Sequence, residues 1–256
     1  MPFTGSVNDF EARFGGIQRL YGRAGMERLR AAHVAVVGVG GVGSWAVEAL
    51  ARSGIGKLTL IDADEVCVSN VNRQLPALDG EIGASKVEAL ARRMRGINPE
   101  IAIEARQEFF TVETAAELLA PPFDCVVDAI DTLMNKALLI AECHRRNLRV
   151  ITSGGAGGRK EGAQARIADL AHASHDPLLQ KLRKKLRAEH GFPTDPKLPF
   201  GIPAVYSPEL PTPPESCEAS LRMDCNSGYG AVTFVTGVFG FLAAGWVVNA
   251  LASSHS

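Results

Sequence analysis

The sequence predicts an α/β fold: an open, mostly parallel sheet with helices on both faces, helices at the N-terminus and an irregular C-terminal excursion. Three observations predict it. Val34 to Val37 is a short apolar run followed by Gly38, Gly40 and Gly43 in G-x-G-x-x-G spacing, with an extra glycine at Gly41. A second apolar run, Leu58 to Ile61, ends in Asp62, close to the ~20-residue offset at which such a unit carries an acid. Strand-length apolar runs then alternate with helical periodicity through Thr152, the pattern of parallel strands joined by helical crossovers.

Each element has its own signal. Phe14 to Arg30 reads as two short helices broken near Gly22, rich in arginines of a mostly solvated face. Ser44 to Ser53 is a helix with Ala46, Val47, Leu50 and Ala51 on one apolar face. Beyond Asp62 the chain is polar and turn-rich. Gly83 to Met94 is helical, and Asn98-Pro99 stops it. Glu100 to Ala105 alternates as a strand, and Val112 to Leu119 is a short helix closed by Pro121-Pro122. Cys125 to Val127 is a buried strand ending at Asp128, followed by a helix over Met134 to Arg146 and a strand over Arg149 to Thr152. The loop Ser153 to Gly158 leads to one more short strand over Gln164 to Ile167. Leu178 to Arg187 is a basic amphipathic helix, and Gly191 to Cys217 is a Pro-rich run without periodicity. Regular structure is expected to resume only in the glycine-rich final segment.

Bulk properties narrow the function classes. The chain has 256 residues, 46% apolar and 21% charged, a globular composition suited to one large domain. A net charge of −1 gives no global attraction to nucleic acid, so any such contact needs a local patch. Five cysteines at 67, 125, 143, 217 and 225 include no C-x-x-C pair, which argues against a disulfide framework and against structural zinc. The first residues lack the pattern of a secretory signal, and a cytoplasmic setting is expected. Tyr229 to Leu251 is almost free of charge and about long enough to span a bilayer; its glycines and polar residues equally suit a helix packed on the sheet, so a buried helix and a membrane span are both open.

The strand, glycine turn, helix, strand and acid make a Rossmann-like mononucleotide unit. Its glycines let the backbone approach a phosphate, the helix N-terminus offers free N–H groups to that anion, and Asp62 suits ribose hydroxyls. The same turn can serve helix–strand packing alone, and by itself would favour NAD. Further along, Asn70, Arg73 and Gln74 form an S-N-x-N-R-Q cluster, Lys86 opens the next helix and Asp131 follows the fourth strand. Ligands bind outside the carboxyl ends of such strands, so Gly41, Asp62 and Asp131 are expected to face one crevice. Cations there neutralise charge on a triphosphate, and a carboxylate can hold Mg²⁺. Each residue also has a plainer reading: Lys86 as a surface charge, Asp131 as a helix N-cap, Arg73 as a loop cation.

Taken together, G-V-G-G-V-G-S, I-D-A-D at Ile61 to Asp64, S-N-V-N-R-Q at Ser69 to Gln74, G-A-S-K ending at Lys86 and D-A-I-D at Asp128 to Asp131 resemble the ubiquitin-activating-type adenylating family. These motifs cover about the first 160 residues. R-F-G-G-I-Q-R-L-Y-G (Arg13 to Gly22), T-S-G-G-A-G-G (Thr152 to Gly158), D-P-L (Asp176 to Leu178) and R-M-D-C-N-S-G-Y-G-A (Arg222 to Ala231) resemble the branch acting on threonylcarbamoyladenosine beside the tRNA anticodon. The resemblance implies a single adenylating domain over residues 1–256: N-terminal helices (1–32), a nucleotide-binding core (33–170), a basic helix with crossover excursion (171–227) and an apolar return (228–256). It implies ATP and Mg²⁺ as cofactors, no zinc, a nucleotide site of Gly38, Gly40, Gly41, Gly43, Asp62, Asp64, Asn70, Arg73, Gln74 and Lys86, and metal binding at Asp131. Arg73, Lys86 and Asp131 would be catalytic, in an ATP-dependent dehydration through an acyl-adenylate of the threonyl carboxylate.

The implied partners are tRNA, a second copy of the chain in a homodimer and a possible sulfur-transfer protein. Lys181, Arg183, Lys184, Lys185 and Arg187 are candidate tRNA contacts, although a basic helix can equally be only solvated. Cys225 either accepts sulfur or packs. An arginine reaching across a dimer would be Arg13 or Arg19. The alternatives are adenylation of the C-terminal glycine of a ubiquitin-like sulfur carrier, disfavoured by the missing zinc cysteines, and an NAD-linked enzyme or inert scaffold. All of these predict one fold, so the fold does not choose among them.

Overall fold

The computed structural model describes residues 9–213 and 229–253. Helix α1 (Asp9–Ala31) is broken at Gly22, whose φ of 72° and ψ of 170° interrupt the helix. It leads into β1 (His33–Val37), which is followed by α2 (Gly43–Arg52) and β2 (Lys57–Ile61). Next come α3 (Lys86–Ile97), β3 (Ala102–Arg106), the single-turn α4 (Ala115–Leu118) and β4 (Cys125–Asp128). The chain continues through α5 (Leu133–Arg145), β5 (Val150–Ser153), β6 (Arg166–Asp169) and α6 (Pro177–Glu189), and closes with β7 (Pro203–Tyr206) and α7 (Thr233–Ala252).

These form one seven-stranded sheet in the order β3-β2-β1-β4-β5-β7-β6. Every neighbouring pair is parallel except β6 with β7. The strand order reverses between β1 and β4, so a crevice opens there beyond their carboxyl ends. The central strands β1, β4 and β5 are buried at every residue, which is why they read as continuous apolar runs rather than alternating ones.

The structure corrects the C-terminal excursion. The run expected to be irregular contains β7, which pairs parallel with β5 and antiparallel with β6 and so lies inside the sheet. Its Pro203 stands at the first strand position, where the missing N–H costs least. Boundaries shift elsewhere too. The helix expected over 83–94 starts at Lys86 and runs on to Ile97, the helix over 112–119 shrinks to one turn, and the strand over 164–167 begins at Arg166 after a 3₁₀ turn.

Helix α7 is long and apolar enough to cross a bilayer, yet Val235, Phe239 and Val247 are completely buried in the core with α2. Gly240 permits this contact. A Cβ there would lie 2.5 Å from the Val42 carbonyl oxygen and 2.7 Å from the Trp45 Cβ. Phe241 meets the Trp45 indole edge-on with centroids 6.0 Å apart, so the buried-helix alternative describes residues 233–252.

On the other side of α2, Glu48 ties this helix to α3. Arg93 donates to it through Nε (2.8 Å) and Nη2 (3.0 Å), and Arg52 through Nε (2.7 Å). Burial pushes the Glu48 carboxyl up, but the two guanidinium groups outweigh it and hold the group below its ordinary 4.5. A lowered folded pKa means stability that is present above 4.5 and lost as pH falls through the folded value. Glu48→Gln is expected to cost about 1–2 kcal/mol at neutral pH and to flatten the acid limb of a melting-temperature profile below 4.5.

Candidate active site

The crevice at the strand reversal is a cavity of about 590 Å³, within the range of small-molecule sites. Its walls include Gly38, Gly40, Gly41, Asp62, Asp64, Asn70, Arg73, Gln74, Lys86 and Asp131. Of the expected nucleotide-site residues, only Gly43 does not face the cavity. It sits behind the turn as the first residue of α2, where a Cβ would lie 1.8 Å from the Gly38 carbonyl oxygen.

The glycine turn is set by backbone geometry. Gly38 has φ +84°, and a Cβ on it would meet the Ala129 carbonyl oxygen at 2.8 Å. The turn is drawn onto β2 by two bonds: Gly38 N–H donates to the Ile61 carbonyl (2.8 Å) and Val39 N–H to Asp62 Oδ2 (2.8 Å). No side chain caps the N-terminus of α2, although Ser44 N–H donates to the Gly40 carbonyl (3.1 Å), so the positive end of the helix is turned toward the cavity for an anion.

Asp62 also accepts the Asp64 N–H at Oδ1 (2.9 Å), leaving lone pairs on both oxygens for other donors. Burial pushes its carboxyl above the ordinary 3.8, against the two N–H bonds and the nearby Lys86 charge. The chain then crosses to the start of α3, where Lys86 N–H donates to the Asp64 carbonyl (3.1 Å) and Val66 N–H to the Ala84 carbonyl (2.8 Å). This tie carries Lys86 into the cavity wall, 5% exposed, with Nζ on Asp64 Oδ2 at 2.8 Å. The surface-charge reading of Lys86 is thereby excluded.

Arg73 is held at both ends. Trp45 Nε1 donates to its carbonyl (3.0 Å), while its own Nη1 donates to the Ser69 carbonyl (2.7 Å) and Asn72 Oδ1 (2.9 Å). The Arg73 methylenes lie against Gly41, and the residue lines the cavity. Asn70 is buried and uses Oδ1 to accept the Cys67 N–H (3.1 Å), which shapes the turn ahead of Arg73. Gln74 lies against Gly40 with a buried Oε1 that has no hydrogen-bond partner. An orphaned acceptor in a cavity wall fits a ligand that brings a donor.

Asp131 is exposed at the cavity edge, and the N-cap of α5 is Thr132, so the capping alternative fails. Thr132 Oγ1 donates to Asp131 Oδ1 at 3.4 Å, so this carboxylate has ample capacity for a cation. Among the described residues no cluster of three His, Cys, Asp or Glu forms a metal cage. Mg²⁺ held by one or two carboxylates together with substrate phosphates needs none, and Asp131 fits that mode.

Sequence reasoning missed two fully buried ion pairs beside the site. Lys136 meets Asp128 at 2.9 Å beneath the cavity floor, and Arg159 meets Asp176 at 3.1 Å behind the Ser153–Gly157 loop. The available signal was a lysine inside the apolar stretch Leu133–Ile140 and an acid closing a wholly apolar strand.

The basic helix α6 divides its charges. Arg183 Nη1 donates to the Ala173 carbonyl (2.6 Å), Lys185 pairs with Glu189 (2.6 Å), and Arg187 donates to the Pro193 carbonyl (3.0 Å). Lys181 and Lys184 are exposed. Near the N-terminus Arg13 and Arg19 are both exposed, and Arg13 pairs with Asp9 (2.8 Å). Cys125 and Cys143 are buried, and burial pushes each thiol up to about 12. The candidate thiol Cys225 lies outside the described residues.

Comparison with known proteins places this geometry in a family context. The ThiF family profile matches residues 16–255. The tRNA threonylcarbamoyladenosine dehydratase of Haemophilus influenzae is 47% identical over 253 residues, covering 98% of this chain and 97% of the relative. Crystal structures of the Escherichia coli tRNA N6-threonylcarbamoyladenosine dehydratase match at 41% identity with AMP bound and 40% with ATP bound, with TM-scores of 0.89 and 0.88. Each match covers 97% of both chains.

Proposed function

We propose, from the premise that this chain belongs to the ThiF family, that it is an ATP-using enzyme that dehydrates and cyclises threonylcarbamoyladenosine in tRNA. The observation that carries this reading is likeness to such dehydratases over nearly the whole of both chains. Identity of 40–47% sustained over that length extends the likeness from fold to sequence.

In this reading a threonyl carboxylate oxygen attacks the α-phosphorus of ATP and pyrophosphate leaves. The neighbouring carbamoyl group then attacks the activated carbonyl, closes the ring and expels AMP, which carries away the carboxylate oxygen. The enzyme needs no nucleophile of its own, because both reacting groups belong to one nucleoside and are held together. Asp62 accepts ribose hydroxyls through its free lone pairs. The N-terminus of α2, Arg73 and Lys86 bind the phosphates and offset the charge that builds as pyrophosphate departs. Asn70 and Gln74 shape the wall, and Asp131 holds Mg²⁺, which when bound neutralises phosphate oxygens. Lys181 and Lys184 meet tRNA phosphates. The enzyme acts as a cytoplasmic homodimer, with Arg19, exposed like Arg13 but outside the Arg13–Asp9 ion pair, the better placed of the two candidate arginines to reach a partner copy. A sulfur-transfer protein is a further candidate partner.

The deciding experiment is mass spectrometry of nucleosides from tRNA bearing threonylcarbamoyladenosine, after incubation with the protein and MgATP under conditions that preserve the ring. ATP-dependent loss of one water is the expected result. No mass change with folded protein and competent tRNA would remove this reading in favour of carrier-protein adenylation.

The role of Asp62 has a pH signature. Its ionised form is the acceptor, and its folded pKa lies above 3.8. Adenosine, which has no phosphate to titrate, should bind with constant affinity at neutral pH and progressively more weakly as pH falls through that raised value. Calorimetric titration of wild type and Asp62→Asn checks this, the variant binding weakly and keeping only the smaller fall that protonation of the adenine ring gives to both proteins.

A further inference from the structure

Lys136 heads the fully buried side chains of the described residues, and its partner Asp128 is equally inaccessible. Lys136 Nζ lies 2.9 Å from Asp128 Oδ2 and donates to the Ile130 carbonyl at 2.8 Å. Asp128 Oδ2 also accepts the Thr152 hydroxyl (2.7 Å), and Oδ1 accepts the Ile130 N–H (3.1 Å). Both backbone polar groups of Ile130 are therefore clamped by the pair, the N–H by the acid and the carbonyl by the base.

Burying such a pair seldom increases stability over an apolar pair of similar size, and its best-supported use is to select one conformation. The conformation selected here is the turn between β4 and α5. Ala129 N–H donates to the Val37 carbonyl (2.9 Å), and the Ala129 carbonyl presses on Gly38, the first glycine of the nucleotide turn. Asp131, one residue beyond the clamped Ile130, is delivered to the cavity edge. Ala129, Ile130, Thr132 and Asn135 line the same wall.

We propose that Lys136 is a positioning residue for adenylation: with Asp128 it fixes the Ala129–Asp131 turn so that the Asp131 carboxylate meets the metal-bound triphosphate. The inference rests on the reading of Asp131 as the Mg²⁺-holding residue. It requires that losing the pair weaken the metal-dependent part of ATP binding while sparing the metal-independent part.

The test compares wild type, Lys136→Met, the double variant Asp128→Asn with Lys136→Met, and Asp131→Ala. The readouts are melting temperature and ATP affinity by calorimetry with and without Mg²⁺. The double variant removes the unpaired buried charge that makes Lys136→Met prone to misfolding, and it carries the test if the single variant does not fold. Expected for the double variant is a melting temperature close to wild type and metal-free ATP affinity within twofold. The gain in affinity on adding Mg²⁺ should fall at least tenfold, as it should in Asp131→Ala. A double variant that melts like wild type and keeps the full Mg²⁺ gain, while Asp131→Ala loses it, overturns the positioning role alone. Retention of that gain by Asp131→Ala overturns the underlying reading of Asp131.

Discussion

Lys86→Met is expected to lower MgATP-dependent dehydration by about 10²–10³-fold, the usual loss when one preorganised charge is withdrawn from a transition state. The effect is large because Lys86 is 5% exposed and paired with Asp64 at 2.8 Å. Water cannot replace a cation held in that wall, and methionine keeps most of the volume while removing the charge. Removal also leaves the Asp62 and Asp64 carboxylates adjacent without a neutralising neighbour. Incoming phosphates then face two anions, so ATP affinity should fall along with turnover. Single-turnover assays at saturating tRNA, paired with ATP titrations, separate the two losses. A variant with near-normal turnover would remove Lys86 from the phosphate site.

Gly43→Ala should abolish ATP binding and lower the melting temperature. The added Cβ would sit 1.8 Å from the Gly38 carbonyl oxygen and 2.9 Å from its carbonyl carbon. Both are backbone atoms of the turn itself and cannot rotate away. Forcing a methyl into such a site costs at least about 1–3 kcal/mol, and the turn that relieves the clash no longer offers its N–H groups to a phosphate. The contrast is Gly245→Ala on α7, where a Cβ meets nothing within 4 Å. That change should stabilise the protein by roughly 0.5–1 kcal/mol and leave ATP binding intact. Thermal melts of the two variants, with and without ATP, check both expectations.

Much of this site is legible in sequence because its parts are local. The strand, turn and helix around Gly38–Gly43 lie within one short stretch, and β1, β2, β4 and β5 announce themselves as apolar runs. The convergence of Asp62, Arg73, Lys86 and Asp131 on one cavity follows from strand order, which the βαβ pattern constrains. Strand β7 was not legible. Four residues starting with proline in a Pro-rich run carry almost no local preference, and their pairing with β5 and β6 is purely long-range. The Lys136–Asp128 pair stayed hidden for a related reason. A lysine on a helix reads as solvated until the strand that buries it is known, and its partner lies eight positions away on that strand. The split of charges on α6 likewise depends on acceptors such as the Ala173 and Pro193 carbonyls, which no periodicity reveals.

The position of β7 also sets an order of events as the chain leaves the ribosome. Among the described residues β6 pairs with β7 alone, yet it is synthesised more than thirty residues earlier. Until β7 emerges, β6 has no place in the sheet and β5 presents an open edge, a template for pairing with other chains. The outer face of α2 waits longer still, because the helix that covers it, α7, follows β7 in the chain. A nascent chain stalled before Pro203 therefore holds the glycine turn, Asp62, Lys86 and Asp131 but lacks Thr236 of the cavity wall, and it leaves the β5 edge and one apolar face of α2 uncovered. Emergence of α7, rather than completion of the nucleotide-binding half, is the step that covers this apolar face against aggregation.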